Sequence, residues 1–440
     1  MTTPAPTIAV LGASGLIGFA LAAELKRGAH PVIAIARRFT SAQHAALGEN
    51  AITAPFAAPD EETLAALLGG SDIVINAAGI LQDRGGETAD AIHRAFVARL
   101  ISAMTRAGRP KLLIHVSIPG EANSDRTAFS RTKRRAEQLI RDSGLPFVIL
   151  RPGIVLAPVA YGASALFRAL AALPVDLAPA DWQAPFAAIG ISDIVATVAV
   201  VADRWRQGER TWSATWDLME REQSTAGDVV AGLRRHFGGP RPIVNLPSWL
   251  LTVGARLGDL ASRLGWAPPV RSTGLAEMRR GVRGDPLPWI AATGIEPAPL
   301  GRILASLPAT IQEVWFARLF LLKPFVVASL ALFWTLSGLI ALTVSFQAAA
   351  GILTRHGFHP ALADAITVVS ALADIAIGMA IAWRPACRRG LIAGIAVALG
   401  YMAGAAVLTP DLWIEPLGAL VKTVPAVVLM LVAVAILDSR

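Results

Sequence analysis

The sequence predicts an α/β fold, a doubly wound parallel sheet with a small α+β subdomain, followed by a C-terminal bundle of four transmembrane helices. Three observations predict it. The first is a short apolar run, Thr7-Ile8-Ala9-Val10-Leu11, that enters the glycine-rich stretch Gly12-Ala13-Ser14-Gly15-Leu16-Ile17-Gly18 and then a helical pattern. The second is an alternation of strand-like and helical runs up to about Leu319. The third is the set of four long apolar stretches beyond that point.

A pyrophosphate needs backbone N–H donors at the start of a helix, and only residues without a Cβ let ligand and strand approach so closely. Gly12, Ala13, Ser14, Gly15, Leu16, Ile17 and Gly18 meet that need in the required context, after a strand and before a helix, so they form the candidate dinucleotide-binding turn. An ordinary glycine-rich βα turn is the plainer alternative. The stretch to Ala23 is short and apolar but has no basic leading region, so it does not read as a secretory signal.

Further strands are expected at Pro31–Ala36, Asp72–Asn76, Lys111–Ser117 and Phe147–Leu150, with amphipathic helices between them. At the end of the second strand, where an NAD-preferring site carries a carboxylate for the ribose hydroxyls, stand Arg37 and Arg38. A carboxylate there repels a 2′-phosphate, whereas a guanidinium grips it with two donors, so NADP(H) is expected over NAD(H). Simple solvation of two strand-end arginines is the alternative.

From about Val155 to Ala317 runs a middle segment with Gly-Pro turns and basic helical stretches such as Leu250–Leu264, where Arg256 and Arg263 interrupt a leucine-rich face. It fits a helical subdomain with a solvated basic face and equally a surface lying on lipid headgroups. The expected division is therefore a nucleotide-binding domain over residues 1–154, a substrate or lid subdomain with linker over 155–317, and a membrane domain over 318–440. With 440 residues, 54% of them hydrophobic, the chain has room for two or three domains with a substantial core. The lone Cys387 forms no internal disulfide. The net charge of +8 is spread over scattered arginines with no nucleic-acid motif, so nucleic acid is not an expected partner, and anionic lipid is.

The apolar stretches Leu319–Phe346, Pro360–Trp383, Gly390–Leu408 and Pro416–Leu437 each reach the length of about 20 residues that crosses a hydrocarbon core. Arg318 and Lys323 precede the first, and Arg384, Arg388 and Arg389 crowd the loop between the second and third. The loop before the fourth carries only Asp411 and Glu415. That asymmetry predicts an inner, cytoplasmic membrane location with both termini and the nucleotide-binding half on the cytoplasmic side; Arg355 alone counts against it. Asp374 and Lys422 fall within the second and fourth spans, where charges are costly, and an ion pair between them is the expected arrangement, with a proton or quinone-headgroup site as the functional alternative. His356 and His359 lie on the opposite loop without carboxylate or thiolate companions, so no metal is expected.

Taken with Asn76-Ala77-Ala78-Gly79, His115-Val116-Ser117 and Leu150-Arg151-Pro152-Gly153, the glycine turn gives the first 310 or so residues a resemblance to the short-chain dehydrogenase/reductase superfamily, in its extended or atypical branch. The resemblance implies a Rossmann domain in which Ala77, Ala78 and Gly79 pack along the cofactor, Ser117 orients a substrate carbonyl and Pro152 sits by the nicotinamide. It also implies a tyrosine four residues before a lysine, the tyrosine donating a proton as hydride arrives. Here the stretch reads Phe129-Ser130-Arg131-Thr132-Lys133, so the lysine is present and the acid is gone. Its loss removes a group typically worth about 10²–10⁴-fold in rate. Of the two tyrosines, Tyr401 falls in a span, which leaves Tyr161 as the candidate replacement donor, with a packing or lid residue as the plainer reading.

The departure at Phe129 is similar to atypical members that bind NADPH without clear catalysis, among them an accessory subunit of complex I. The membrane half resembles a DoxX-like four-helix module. Three functions follow as expectations: a membrane-tethered, NADPH-dependent reductase of a quinone-like or lipid-like substrate, a catalytically silent nucleotide sensor or assembly factor that engages a membrane protein partner, and, last, a nucleotide-regulated transporter.

Overall fold

The computed structural model describes residues 4–55, 60–83, 86–106, 109–414 and 418–438. They form two compact units, Met1–Gly258 with Pro269–Arg318, and Asp259–Pro268 with Leu319–Arg440.

Among the described residues the first unit carries eleven strands: β1 (Ile8–Leu11), β2 (Val32–Ala36), β3 (Ala51–Thr53), β4 (Ile73–Asn76), β5 (Leu112–Val116), β6 (Phe147–Pro152), β7 (Ile154–Leu156), β8 (Val175–Leu177), β9 (Ala188–Gly190), β10 (Ser213–Leu218) and β11 (Val244–Leu246). Seven of them make one parallel sheet in the order β10-β6-β5-β4-β1-β2-β3. The strand order reverses between β1 and β4, and the crevice beyond the carboxyl ends of such strands is where doubly wound sheets take their ligands. Both faces of the sheet are covered, which is why its central strands read as unbroken apolar runs. On one face Ile8, Val10 and Ile75 pack with Leu21 and Val198; on the other Ala9, Leu11 and Val74 pack with Leu64 and Leu100. The remaining strands form the parallel pairs β7–β9 and β8–β11, beside a smaller core of Phe167, Phe186, Val229, Leu233 and Ile303. The sheet thus takes its edge strand β10 from within the middle segment.

In the second unit the helices Leu322–Leu342, Pro360–Ala382 and Cys387–Leu408 are long and apolar enough to cross a membrane. The fourth, Ala419–Ile436, is shorter and contains Pro425, whose missing N–H breaks the ladder inside it. The expected start of that span at Pro416, and Glu415 before it, lie outside the described residues. The first span is also not the single run expected from Leu319 to Phe346. A separate helix, Ile311–Phe320, ends where Pro324 withdraws a backbone donor, and after Leu342 the chain turns into Phe346–Arg355. Small residues bring the first two spans close: a Cβ on Gly378 would sit 2.1 Å from Thr335 Oγ1, and one on Gly338 would sit 2.3 Å from the Ala371 carbonyl.

The expected Asp374–Lys422 ion pair does not form. Asp374 is buried and accepts hydrogen bonds from the Tyr401 hydroxyl (2.9 Å) and, at the limit of reach, Ser337 (3.5 Å), while Lys422 is exposed. Two neutral hydroxyls on neighbouring helices reach the carboxylate without burying a second charge. Beside Tyr401, an apolar groove of about 430 Å³ is lined by Ala365, Ile366, Val369, Ser370, Ala373 and Val397. The charges sort to opposite ends of the bundle. Lys323 and Arg384 reach the Leu437 carbonyl, and Arg384 and Arg388 pair with Asp438. At the other end His356 meets Asp411 at 2.7 Å.

Candidate nucleotide site

The glycine turn is shaped by close approach. Gly12 has φ +81°, and a Cβ there would lie 2.8 Å from the Ala78 nitrogen; one on Gly18 would lie 2.3 Å from the Gly12 carbonyl. Any side chain at either position would collide with backbone, which explains the residue type without reference to a ligand. The turn is anchored at 3.0 and 3.1 Å from the Gly12 and Ala13 amides to the Ile35 carbonyl, and Gln43 holds the Ser14 carbonyl from the next helix. Helix Leu16–Arg27 opens at Gly15 with no side chain capping it. Its first amides therefore face the crevice as an anion-binding end.

Ala77, Ala78 and Gly79 follow β4 directly against this turn. Asn76, fully buried, accepts the Ala78 amide through Oδ1 and so presents its Nδ2 to His115 Nδ1 at 3.1 Å. Gly79 leads to Lys133, whose Nζ is 3.3 Å from where a Gly79 Cβ would be. The turn, the Ala77–Gly79 stretch and Lys133 are thereby brought together as one continuous surface.

Lys133 lies on helix Ala128–Asp142, which Thr127 and Ser130 open with a reciprocal capping pair. Phe129, Lys133 and Glu137 recur at four-residue spacing and share one helix face. The Lys133 ammonium donates to the Val116 carbonyl at 2.8 Å. Burial pulls its pKa down to about 8, against the opposing pull of Glu137. Glu137 is wholly buried; burial alone would raise its carboxyl, but the hydrogen bonds from Arg151 and the charges of Arg151 and Arg134 outweigh that and hold it at about 2. Arg151 grips it with two prongs, at 2.9 and 2.5 Å, and Arg134 and Arg141 complete the cluster. Arg134 and Arg280 reach on to Asp125 and to the Pro119 carbonyl, fixing the loop after β5. Ser117 is buried at the end of β5 within this cluster, and Pro152 ends β6 beside it.

Phe129 packs edge-on against His93, ring centroids 5.5 Å apart. His93 accepts the Ile80 amide at Nε2, so its proton is on Nδ1 and is donated to Thr132 Oγ1 at 2.9 Å; Thr132 in turn donates to the Ala128 carbonyl. Burial, with the Lys133 and His115 charges adding, pushes this imidazole down to about 2, so it stays neutral. His93 sits in a widened helical turn, Ala91–Ala95, a feature common at functional sites. Neither His93 nor Glu137 was among the expected site residues. Glu137 carries a sequence signal in its spacing from Lys133, whereas His93 carries none.

Two expected residues lie apart from this surface or are already engaged. Tyr161 is half exposed on the loop before helix Ala163–Ala171, and among the described residues no hydrogen bond or ring contact joins it to Ser117 or Lys133. Arg37 is ion-paired with Glu87, while Arg38 is exposed.

Residues 12–164 match the family model of an NAD(P)H-binding domain, and residues 331–431 match that of the DoxX-like family. Among solved structures, the human epimerase family protein SDR39U1 with NADPH is similar at 20% identity and TM-score 0.52, over 68% of this chain and 98% of that one. MoeE5 with UDP-glucose and NAD follows at 19% and 0.51, over 72% and 99%. The UDP-glucuronic acid 4-epimerase of Bacillus cereus, bound to UDP-glucuronic acid and NAD, stands at 16% and 0.51, over 71% and 99%. At these identities the likeness is one of fold. No curated protein matches the chain.

Proposed function

We propose that this chain, an NAD(P)H-binding domain of the short-chain dehydrogenase/reductase type joined to a DoxX-like membrane domain, is a membrane-anchored oxidoreductase that uses NADPH on a lipophilic, quinone-like or lipid-like substrate. The observation that carries the reading is the continuous surface from Gly12 through Ala78 and Gly79 to the buried Lys133. Those residues fit a dinucleotide: the uncapped helix start at Gly15 suits a pyrophosphate, and Lys133 suits the nicotinamide ribose. A bound nicotinamide supplies hydride chemistry. Glu137 and Arg151 tie helix Ala128–Asp142 to β6, and Lys133 ties it to the end of β5 through the Val116 carbonyl. With phenylalanine at 129, the group on this surface whose proton is poised near neutral pH is Lys133, at about 8.

The apolar groove beside Tyr401 supports the lipophilic part of the reading. Arg38, free of an acidic partner among the described residues, supports the preference for NADPH; Arg37 does so only when Glu87 releases it. The division at 154 and 317, four spans, and a cytoplasmic location of the termini and nucleotide domain belong to the same proposal, supported by the cationic end of the bundle at Lys323, Arg384 and Arg388. A second reading, a silent NADPH sensor or assembly factor for a membrane partner, is favoured by one contact, the packing of Phe129 on a neutral His93, which leaves no proton donor there.

NADPH fluorescence followed over time with the full chain in native-lipid nanodiscs tests both. Decay faster with NADPH than NADH, and falling as pH rises through about 8, is the expected result for the reductase. Tight binding without decay leaves the sensor, and equal binding of NADH refutes the role given to the arginines. If decay occurs, Tyr161→Phe separates a relocated donor, which loses it, from the Lys133 reading, which keeps it.

A further inference from the structure

Helix Ser248–Arg263 is inside out by the standard of a surface helix in water. Its buried residues are Ala255 and Gly258, small and on one side. A Cβ on Gly258 would lie 2.0 Å from the Val270 carbonyl, so this is the packed face. The opposite face carries Trp249, Val253, Leu257, Leu260 and Leu264, spaced three or four residues apart in one stripe, and every one is exposed, from 41% to 65%. Arg256 and Arg263, also exposed, flank the stripe along one edge.

A continuous apolar stripe on the outward side of a helix needs a non-aqueous neighbour. The contacts at the helix's end identify that neighbour. The Leu264 carbonyl accepts the Arg384 amide at 3.0 Å, Trp266 Nε1 donates to the Ala382 carbonyl at 2.6 Å, and the Arg384 guanidinium lies 5.6 Å above the Trp266 ring. Ala382 ends the second membrane-capable helix, and Arg384 stands in the cationic loop after it. The stripe therefore ends at the depth where a bilayer passes from hydrocarbon to headgroup. Tryptophan at one end, leucines along the face and arginines on the flank are the composition of a helix lying in that zone. Helix Ile311–Phe320 repeats the pattern with exposed Ile311, Trp315 and Leu319 leading to the first span.

We infer that Ser248–Arg263 is an interfacial helix that inserts its Trp249–Leu264 stripe into the membrane surface, with Arg256 and Arg263 pairing with anionic headgroups. The stripe stands whether or not the nucleotide is turned over.

The test uses the full chain in nanodiscs, with Leu257→Cys carrying an environment-sensitive fluorophore; the native Cys387 is buried and does not compete. Headgroup-level nitroxide lipids are expected to quench the label while aqueous iodide does not. An Arg256→Cys label is expected to be reached by both. Replacing phosphatidylcholine with one-third phosphatidylglycerol should deepen the Leu257 label, and Arg256→Glu with Arg263→Glu should cancel that response. Leu260→Glu should lower lipid quenching about threefold or more without altering NADPH affinity, which serves as the check on folding. Iodide access at Leu257 in both lipids would overturn the inference. So would protection that persists in detergent and grows with protein concentration, because the stripe would then face a second copy.

Discussion

Each unit of this protein buries a carboxylate among its helices, Glu137 in the first and Asp374 in the second, and the two are treated in opposite ways. Glu137 in the α/β unit is surrounded by Arg134, Arg141 and Arg151, which arrive from its own helix and from β6. Asp374 in the helical unit is met by the neutral hydroxyls of Tyr401 and Ser337, with the nearby cations gathered at the ends of the bundle. A sheet domain can bring long cationic side chains to a buried anion because strand ends and loops converge there. Parallel helices in lipid offer only what stands one residue across, and each additional charge at that depth adds cost. The difference teaches that Glu137 is a fixed ion within a rigid network, while Asp374 is a polar contact between helices.

The sharpest way to break that contrast is to remove each acid. Glu137→Ala takes from the partly buried Arg134 and Arg151 the anion that holds them together, leaving them Asp125 and the more distant Asp217, and should cost about 3–5 kcal/mol in urea unfolding of the full chain, enough to abolish NADPH binding at moderate temperature. Acid gives the next largest effect. The Glu137 carboxyl is held at about 2 against an ordinary 4.5, so its stabilisation is complete above pH 4.5 and is lost as pH falls toward 2. The loss amounts to about 3 kcal/mol, and thermal scans across that range should show it in the wild type but not in Glu137→Gln. In the helical unit, Gly378→Val forces a branched side chain onto Thr335 and should cost about 1–3 kcal/mol in nanodisc thermal unfolding, whereas Gly400→Val, with nothing within 4 Å, should cost almost nothing. Of the two acids the smaller effect belongs to Asp374: Asp374→Asn keeps the Tyr401 hydrogen bond and should cost no more than about 1 kcal/mol. A loss at Asp374 equal to that at Glu137 would refute the distinction.

How far the sequence revealed these features depended on whether a residue's role is imposed by its neighbours in the chain. Gly12 and Gly18 are legible because backbone proximity admits no other residue, and β1, β4, β5 and β6 because burial on both faces demands apolar runs. The edge strands β3 and β10 were not foreseen: β3 is short and half exposed, and Ser213–Leu218 mixes polar with apolar residues. The nucleotide site was legible as a turn and a lysine. Its supports were not, because Glu137's partners and the His93–Thr132–Ala128 chain depend on contacts that only the folded topology creates. The same holds for Arg37, whose partner Glu87 lies 50 residues away, and for Asp374, whose partner is a tyrosine on another helix.

The late arrival of β10 has a consequence for how the chain is made. From the moment β6 emerges during synthesis its outer edge waits, with unsatisfied amides and carbonyls, until Ser213–Leu218 follows some 60 residues later, a delay of about 3–12 s at ordinary elongation rates. Only about 100 residues after that does the first membrane helix, Leu322–Leu342, appear. The nascent sheet thus has time to close before any segment is handed to the bilayer. A chain cut near residue 164, where the family match ends, would carry the open edge permanently and should aggregate, as unpaired sheet edges do.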